Sequence, residues 1–265
     1  MTYLAESWKR WLVWLVLVIV FATACVFLSE WQFERRAARV AEIELVQQNF
    51  DKPAEAIASV DLTAKETKWT PVRVTGEYLN EEQVLVRNRP RSGQPGFETV
   101  VPFRTSDGQI FAVSRGWLPT GNLQDSPDVV PLPSEEAQEI VARLVPGERE
   151  LDRGAPAGQV ASMNLAEIAA ETGLELNQQW YLRLSSEQEP ADQAVKLLRP
   201  TTDEGNHLSY AIQWLIFGVL AFITLVFTVR KEYDFYRSKN DPNYVPKVRK
   251  KTRADFDQEA EDSVA

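Results

Sequence analysis

The chain has 265 residues, a formal net charge of −9, one cysteine and one histidine. One cysteine excludes a disulfide framework, and one histidine excludes a multi-histidine zinc or copper site. Residues 30–207 hold 29 acidic and 18 basic side chains, so nucleic acid is not expected as a partner.

Two apolar segments stand near the ends of the chain. Residues 11–29 and residues 208–229 contain no charged side chain. A helix rises about 1.5 Å per residue, so each segment is long enough to cross a hydrocarbon core roughly 30 Å thick. Both segments are therefore predicted to be transmembrane helices.

The basic residues that flank these segments predict their orientation. Lys9 and Arg10 precede the first segment, and Arg230 and Lys231 follow the second. Lys and Arg close to a span remain on the cytoplasmic side, so both termini are predicted to be cytoplasmic. The predicted organisation is a cytoplasmic N-terminus (1–10), a first transmembrane helix (11–29), an extracytoplasmic domain (30–206), a second transmembrane helix (207–229) and a charged cytoplasmic tail (230–265).

A cleavable signal sequence is the alternative interpretation of the first segment. Residues 22–24 read Ala-Thr-Ala, and Cys25 follows, as at a lipoprotein cleavage site. The apolar run continues through residues 26–28, however, which favours an uncleaved anchor. Ala22, Cys25 and Ser29 then form a stripe of small residues that is expected to pack against the second span.

The region between the spans shows mainly the period-two pattern of β-strands. Alternation in residues 72–77 and 84–87 predicts two strands, with residues 79–82 as the turn of a hairpin. A second hairpin is predicted from residues 99–104 and 109–115, because Asp107-Gly108 tolerates the positive φ of a tight turn. Further strands are predicted at 139–145, 180–184 and 196–198.

Helical signals in this region are few. Residues 32–50 have helical spacing and are expected to extend the first helix or to start another. Residues 165–172 form a predicted helix, with Asn164 and Glu167 at capping-box spacing and Gly173 as its stop. Residues 121–134 are predicted to be a surface loop. The predicted fold class is a membrane protein with two transmembrane α-helices and a β-rich α+β extracytoplasmic domain between them.

His207, at the outer edge of the second span, is the only side chain suited to axial haem ligation. Tyr210, Trp214 and Gly218 follow at i+3, i+7 and i+11, so one helical face carries all four residues. This face predicts a haem site with Trp214 and Gly218 bordering the macrocycle. The alternative is a polar histidine in an interfacial aromatic belt.

Arginine and tryptophan residues of the central region are candidates for contacts with haem propionates or with a partner. Arg87, Arg89 and Arg91 are two residues apart, so in an extended segment they point to one side and suit carboxylates. Arg115 and Trp117 close the second hairpin. The alternatives are ion pairs within this acidic domain for the arginines and core packing for Trp117.

With these motifs assembled, the chain resembles the surfeit locus protein family of cytochrome oxidase assembly factors, in its bacterial form. The resemblance covers most of residues 11–229. The matching blocks are VTGEY (74–78), RNRPRSGQPGFETVVPF (87–103), SRGWLPTG (114–121), MNLAEIAAETG (163–173) and NHLSYAIQW (206–214).

The resemblance implies a non-enzymatic assembly factor of the respiratory chain that assists insertion of haem a into the catalytic subunit of a haem-copper oxidase. It also implies a haem role for His207 as candidate ligand, since bacterial members bind haem themselves and the histidine at the start of their second span matches His207. The implied partners are the oxidase catalytic subunit, a haem a synthesis enzyme and the lipid bilayer. The N-terminus lacks the features of a transit peptide, which favours a bacterial plasma membrane.

Two alternatives remain at this point. A structural or interaction subunit of the oxidase complex would share the family features without binding haem. A membrane-anchored hydrolase is opposed by the absence of a second histidine and of a nucleophile elbow. The function of the tail after residue 229 is not addressed by the resemblance.

Overall fold

The computed structural model describes residues 2–122, 125–188, 194–241 and 245. The chain divides into two units, one formed by Met1–Ala38 with Gly205–Ala265 and the other by Arg39–Glu204. The helices are α1 (Thr2–Asn49), α2 (Leu165–Thr172) and α3 (His207–Asn240). The strands are β1 (Glu55–Ala56), β2 (Pro71–Tyr78), β3 (Val84–Val86), β4 (Gly96–Thr105), β5 (Ile110–Pro119), β6 (Gln138–Pro146), β7 (Gln159–Val160) and β8 (Trp180–Glu187).

The first unit contains two helices that are long and apolar enough to cross a membrane. Residues 11–29 lie within α1, and residues 208–229 lie within α3. Large apolar side chains project from them without cover, including Val20, Phe27 and Phe227, which are 61%, 67% and 65% exposed. Exposed apolar surface of this extent is what helices that cross a membrane present to lipid. The predicted fold class, two apolar helices around a β-rich domain, is confirmed.

Small residues bring α1 and α3 close together within this unit. Ser29 and Cys25 of α1 are buried, as are Ala211 and Gly218 of α3. The Ser29 hydroxyl donates to the Ala211 carbonyl at 3.0 Å, and a Cβ on Gly218 would lie 3.6 Å from Cys25 Cβ. The predicted packing of the small-residue stripe against the second span is confirmed. We call this contact the helix seam.

The second unit, Arg39–Glu204, which we call the sheet domain, is built around a closed ring of five strands. Neighbouring strands pair in the order β2–β6–β8–β5–β4, and β4 pairs back with β2 to close the ring. All pairs in the ring are antiparallel except β5–β8. The short strands lie outside it, β1 on β2, β3 on β4 and β7 on β3.

Alternation of side chains along the strands creates two cores. Phe103 and Phe111 belong to one core, together with Leu144 and Leu182 from the neighbouring strands. The other core includes Val46 from the last turns of α1, together with residues of α2 and of the strands. The free energy gained on folding increases with the apolar area removed from water. Both cores therefore stabilise this unit.

The hairpin of β4 and β5 and the strands β6 and β8 confirm the predictions made for them. Helix α2 is also confirmed with its caps: the Asn164 side chain accepts from the Glu167 amide at 2.9 Å, and Gly173 has φ +69°. Residues 32–49 continue α1, as one of the two predicted alternatives. The predicted loop at 121–134 contains no helix or strand in its described part, residues 121–122 and 125–134.

Two strand predictions are wrong. Strands β2 and β3 do not form a hairpin, because β2 pairs with β6 and β4 while β3 pairs with β4 and β7. The intervening residues Asn80–Glu82 form a short 3-10 helix that turns the chain away from β2. Residues 196–198 are not a strand, and the preceding residue Val195 forms an isolated bridge with Trp117. The tail is helical to Asn240 as part of α3, and its remainder lies almost entirely outside the described residues.

Candidate functional site

His207 is the first residue of α3, and the conformation of the preceding residues determines its position. Gly205 has φ +72°, a left-handed conformation that turns the chain immediately before the helix. Asn206 occupies the N-cap without a side-chain capping bond. The first turn of α3 therefore presents the imidazole at the start of the apolar helix.

The imidazole of His207 has one specific partner across the helix seam. Its Nδ1 lies 2.9 Å from Oε1 of Gln32 on α1. Within the described parts of the chain, no polar group forms a hydrogen bond with its Nε2. An imidazole held at one nitrogen and unoccupied at the other has the arrangement that histidine ligands of metals adopt.

The other residues predicted to share the face of His207 have different environments. Tyr210 is 51% exposed. Trp214 is half-buried and meets Phe217 edge to face, with ring centroids 5.8 Å apart. Gly218 is buried in the helix seam against Cys25. The structure thus places His207 and Tyr210 in the first turn of α3, while α1 covers this face further along the helix at Gly218.

The three arginines spaced two residues apart are all engaged within the sheet domain. Arg87 forms an ion pair with Asp125, and Arg89 binds both oxygens of Glu148 at 3.0 and 2.7 Å. Arg91 donates to the Lys196 carbonyl at 2.7 Å. Asn88 between them has φ +55°, so the segment is not extended. These contacts are the domain-internal pairing that was the alternative to a propionate clamp.

Arg115 and Trp117 on β5 are both buried. The Arg115 side chain is 4% exposed and donates to Glu187 Oε1 at 2.8 Å and to the Pro131 carbonyl at 3.0 Å. The Trp117 indole nitrogen donates to the Arg89 carbonyl at 2.6 Å. Both side chains therefore stabilise the fold of the sheet domain in this structure.

Glu98 is a buried carboxyl beside these groups. Its Oε2 accepts from the Ser114 hydroxyl at 3.1 Å, and Oε1 is 3.7 Å from Arg89 Nε. Burial raises the pKa of Glu98 above its ordinary value of 4.5, despite the opposing charge of Arg89. For Glu148, burial acts in the same direction, but the hydrogen bond and charge of Arg89 together with the Met163 amide outweigh it and lower the pKa.

Replacing Glu98 by glutamine is expected to remove a loss of stability that accompanies rising pH. A raised pKa means that the folded chain binds the proton of Glu98 more tightly than the unfolded chain does. The stability that this proton contributes is fully present below pH 4.5 and is lost as pH rises through the folded-state pKa. The Glu98→Gln chain lacks this loss. Thermal unfolding of both chains in lipid nanodiscs across this pH range measures the difference, and equal slopes would contradict the assignment.

Among the residues that the structure describes, no group of three or more His, Cys, Asp or Glu side chains is arranged to hold a metal ion. A bare metal centre is therefore not supported there. One imidazole with a free Nε2 beside an apolar helix instead fits the iron of a macrocycle that supplies its other ligands. Haem is such a group, and His207 is the residue that fits it.

Gln32 is the site residue that sequence analysis did not identify. It lies just beyond the apolar run, where a polar side chain is ordinarily an interfacial residue. Its spacing indicates the helical face on which it lies, because Cys25, Ser29 and Gln32 are three to four positions apart. The face could be recognised, but its register against α3 could not.

Comparison with known proteins identifies the family. A sequence model described as the SURF1 family matches residues 19–219, which include the sheet domain, Gln32 and His207. A SURF1-like protein of Mycobacterium tuberculosis (strain ATCC 25618 / H37Rv) is 33% identical over 225 residues, covering 81% of this chain and 82% of that protein.

Two more distant relatives extend the comparison. A SURF1-like protein of Rickettsia felis is 24% identical over 226 residues, or 81% of this chain and 95% of that protein. The cytochrome oxidase assembly protein SHY1 of Saccharomyces cerevisiae is 24% identical over 143 residues, or 50% of this chain and 36% of the yeast protein. From the extent of the family match and the identity to the mycobacterial relative, the chain belongs to the SURF1 family.

Proposed function

We propose that this chain is an assembly factor for a haem-copper cytochrome oxidase and that it assists insertion of haem a into the catalytic subunit, with His207 as the haem ligand. The oxidase role is supported by the family and by the yeast relative, which is a cytochrome oxidase assembly protein. The haem role rests on one observation, the imidazole held through Nδ1 by Gln32 with Nε2 unoccupied. Tyr210, exposed one turn further along α3, borders the same place.

The chain's own residues perform binding and orientation in this proposal. His207 supplies one nitrogen ligand, Gln32 orients its ring, and the helix seam holds the two helices in register. Haem, when bound, supplies the redox-active iron, whose chemistry belongs to the cofactor and the oxidase. The chain accordingly acts without catalysing a reaction of its own.

The proposed location is a bacterial plasma membrane, with two spans, both termini in the cytoplasm and the sheet domain outside. The two apolar helices and their basic flanks support this arrangement. The proposed partners are the oxidase catalytic subunit, reached by the sheet domain, and a haem a synthesis enzyme, from which haem would be received.

The test compares wild-type chain with His207→Ala, purified in detergent from cells that make haem a. We expect wild-type chain to carry a haem absorption band and His207→Ala to lose it, because no second imidazole exists in the chain. In cells that depend on the chain, His207→Ala should also lower the haem a content of the purified oxidase. Leu208→Ala, at a neighbouring exposed position, is the matched control and should retain both signals.

The alternative subunit role gives a different result. A non-haem-binding structural subunit predicts colourless wild-type protein, unchanged oxidase haem content in His207→Ala, and stable co-purification with the oxidase. That combination would overturn the haem role and leave the oxidase partnership. An oxidase that assembles normally without this chain would overturn the assembly function itself.

A further inference from the structure

We propose that Gln32 is a positioning residue that sets the tautomer of His207, so that Nε2 is the nitrogen available to a ligand. This inference rests on the proposed haem function for its purpose, but the tautomer itself does not require haem. Gln32 lies on α1, whereas His207 lies on α3.

The chemistry of the contact determines the proton's position. The atom of Gln32 that meets Nδ1, at 2.9 Å, is the amide oxygen, which accepts hydrogen bonds and cannot donate them. This contact is a hydrogen bond when Nδ1 of His207 carries the hydrogen, and we assign the hydrogen to that nitrogen. In the neutral ring this leaves the lone pair on Nε2, the opposite of the tautomer that histidine prefers in water.

The helix seam keeps Gln32 opposite His207. Ser29, one turn before Gln32, is 2% exposed and donates to the carbonyl of Ala211, one turn after His207. Cys25 packs on Gly218 two turns deeper. These contacts fix both the separation and the register of the helices, and they keep the Gln32 amide within hydrogen-bond distance of Nδ1.

A partner of this kind affects a metal-binding histidine in two ways. It fixes the orientation of the ring, and it selects the nitrogen that binds the metal. Removing such a partner commonly weakens metal binding by about 10–100-fold. Gln32→Leu is therefore expected to bind haem about 10–100-fold more weakly than the wild-type chain, while Gln32→Glu, which keeps an acceptor oxygen, should retain most of the affinity.

The single histidine allows a direct test without haem. Full-length chain is labelled with ¹⁵N-histidine, purified through a histidine-free tag and placed in lipid nanodiscs, so that one imidazole gives all the signals. Two-bond ¹H–¹⁵N correlations, recorded where the ring is neutral, distinguish the protonated nitrogen from the one with the lone pair. We expect the proton on Nδ1 in wild type and Gln32→Glu, and on Nε2 in Gln32→Leu.

Gln47→Leu provides the matched control. It makes the same substitution at an exposed position of the same helix and should leave the spectrum and the haem affinity unchanged. A wild-type proton on Nε2, or an unchanged tautomer in Gln32→Leu, would overturn the inference.

Titration with ferric protoporphyrin IX separates this inference from the proposed function. If wild-type chain shows Nδ1–H but binds no porphyrin, the haem role fails and the tautomer assignment stands. If Gln32→Leu changes tautomer yet binds porphyrin as tightly as wild type, the positioning role for ligation is overturned. The expected result is a tautomer change together with the loss of affinity.

Discussion

Arg115→Met is expected to destabilise the sheet domain by about 3–5 kcal/mol, because it leaves a buried carboxylate without its counter-charge. The Arg115 and Glu187 side chains are only 4% and 8% exposed, and their ion pair joins β5 to β8 at 2.8 Å. Tyr78 from β2 donates to the other oxygen of Glu187 at 3.0 Å, and burial with the charge of Glu187 raises the pKa of its phenol. Pulse proteolysis of full-length chain in nanodiscs, across a urea series, measures the change in unfolding free energy.

An exposed ion pair in the same domain provides the control. Arg104 and Glu77 pair at 2.9 Å with 45% and 46% of their side chains exposed, so Arg104→Met should cost at most about 1 kcal/mol. A triple variant, Arg115→Met with Glu187→Leu and Tyr78→Phe, replaces the whole cluster with apolar groups and should recover most of the loss. Equal effects of Arg115→Met and Arg104→Met would contradict a dependence on burial.

Local features of the fold could be predicted because their causes lie in neighbouring residues. The hairpin of β4 and β5 follows from alternation and from the Asp107-Gly108 turn, where Gly108 has φ +88°. Helix α2 follows from its two caps. The two long helices follow from the length of their apolar runs.

Strand partners could not be predicted in the same way. Alternation identifies β2 as a strand, but its partners β6 and β4 are decided by closure of a ring over many residues of sequence separation. The adjacent strand β3 was the natural choice for a hairpin, and it was wrong. Short-range signals carry no information on which distant edge a strand completes.

In the candidate site, too, local features could be predicted and contacts between distant residues could not. His207 could be identified because it is the only histidine and begins an apolar helix. The contact of Gln32 with His207 depends on the register between two helices, which sequence spacing does not give. The burial of Arg115 likewise depends on Glu187, which faces it from another strand. Even the spacing of Arg87, Arg89 and Arg91 misleads, since Asn88 has φ +55° and ends the extended geometry that spacing assumes.

Gly76→Ala is expected to destabilise the sheet domain by about 3 kcal/mol, because a side chain there would meet the backbone of the neighbouring strand. A Cβ on Gly76 would lie 2.0 Å from the Arg104 carbonyl oxygen and 2.8 Å from a ring carbon of Phe103. Gly76 pairs both with Gln138 of β6 and with Thr105 of β4, so it stands where β2 closes the ring. Glycine within a strand is typical of such close approaches.

Gly154→Ala is the matched control, since no atom lies within 4 Å of a Cβ built on Gly154. The same pulse proteolysis should place this variant within about 0.5 kcal/mol of wild type. An equally small effect of Gly76→Ala would contradict the close approach of β2 and β4 at Gly76.

Hydrogen exchange can show where the damage of Gly76→Ala lies. The Ser106 amide donates to the Thr75 carbonyl, and the Leu79 amide donates to the Pro102 carbonyl, each at 2.9 Å, on either side of Gly76. If the added methyl group separates β4 from β2, these two amides should lose protection before the rest of the ring. Arg115→Met breaks contacts between β5 and β8, so its earliest loss of protection should appear elsewhere. Two variants with similar costs would then open the same ring at different places, as expected of a closed sheet in which each pairing supports the next.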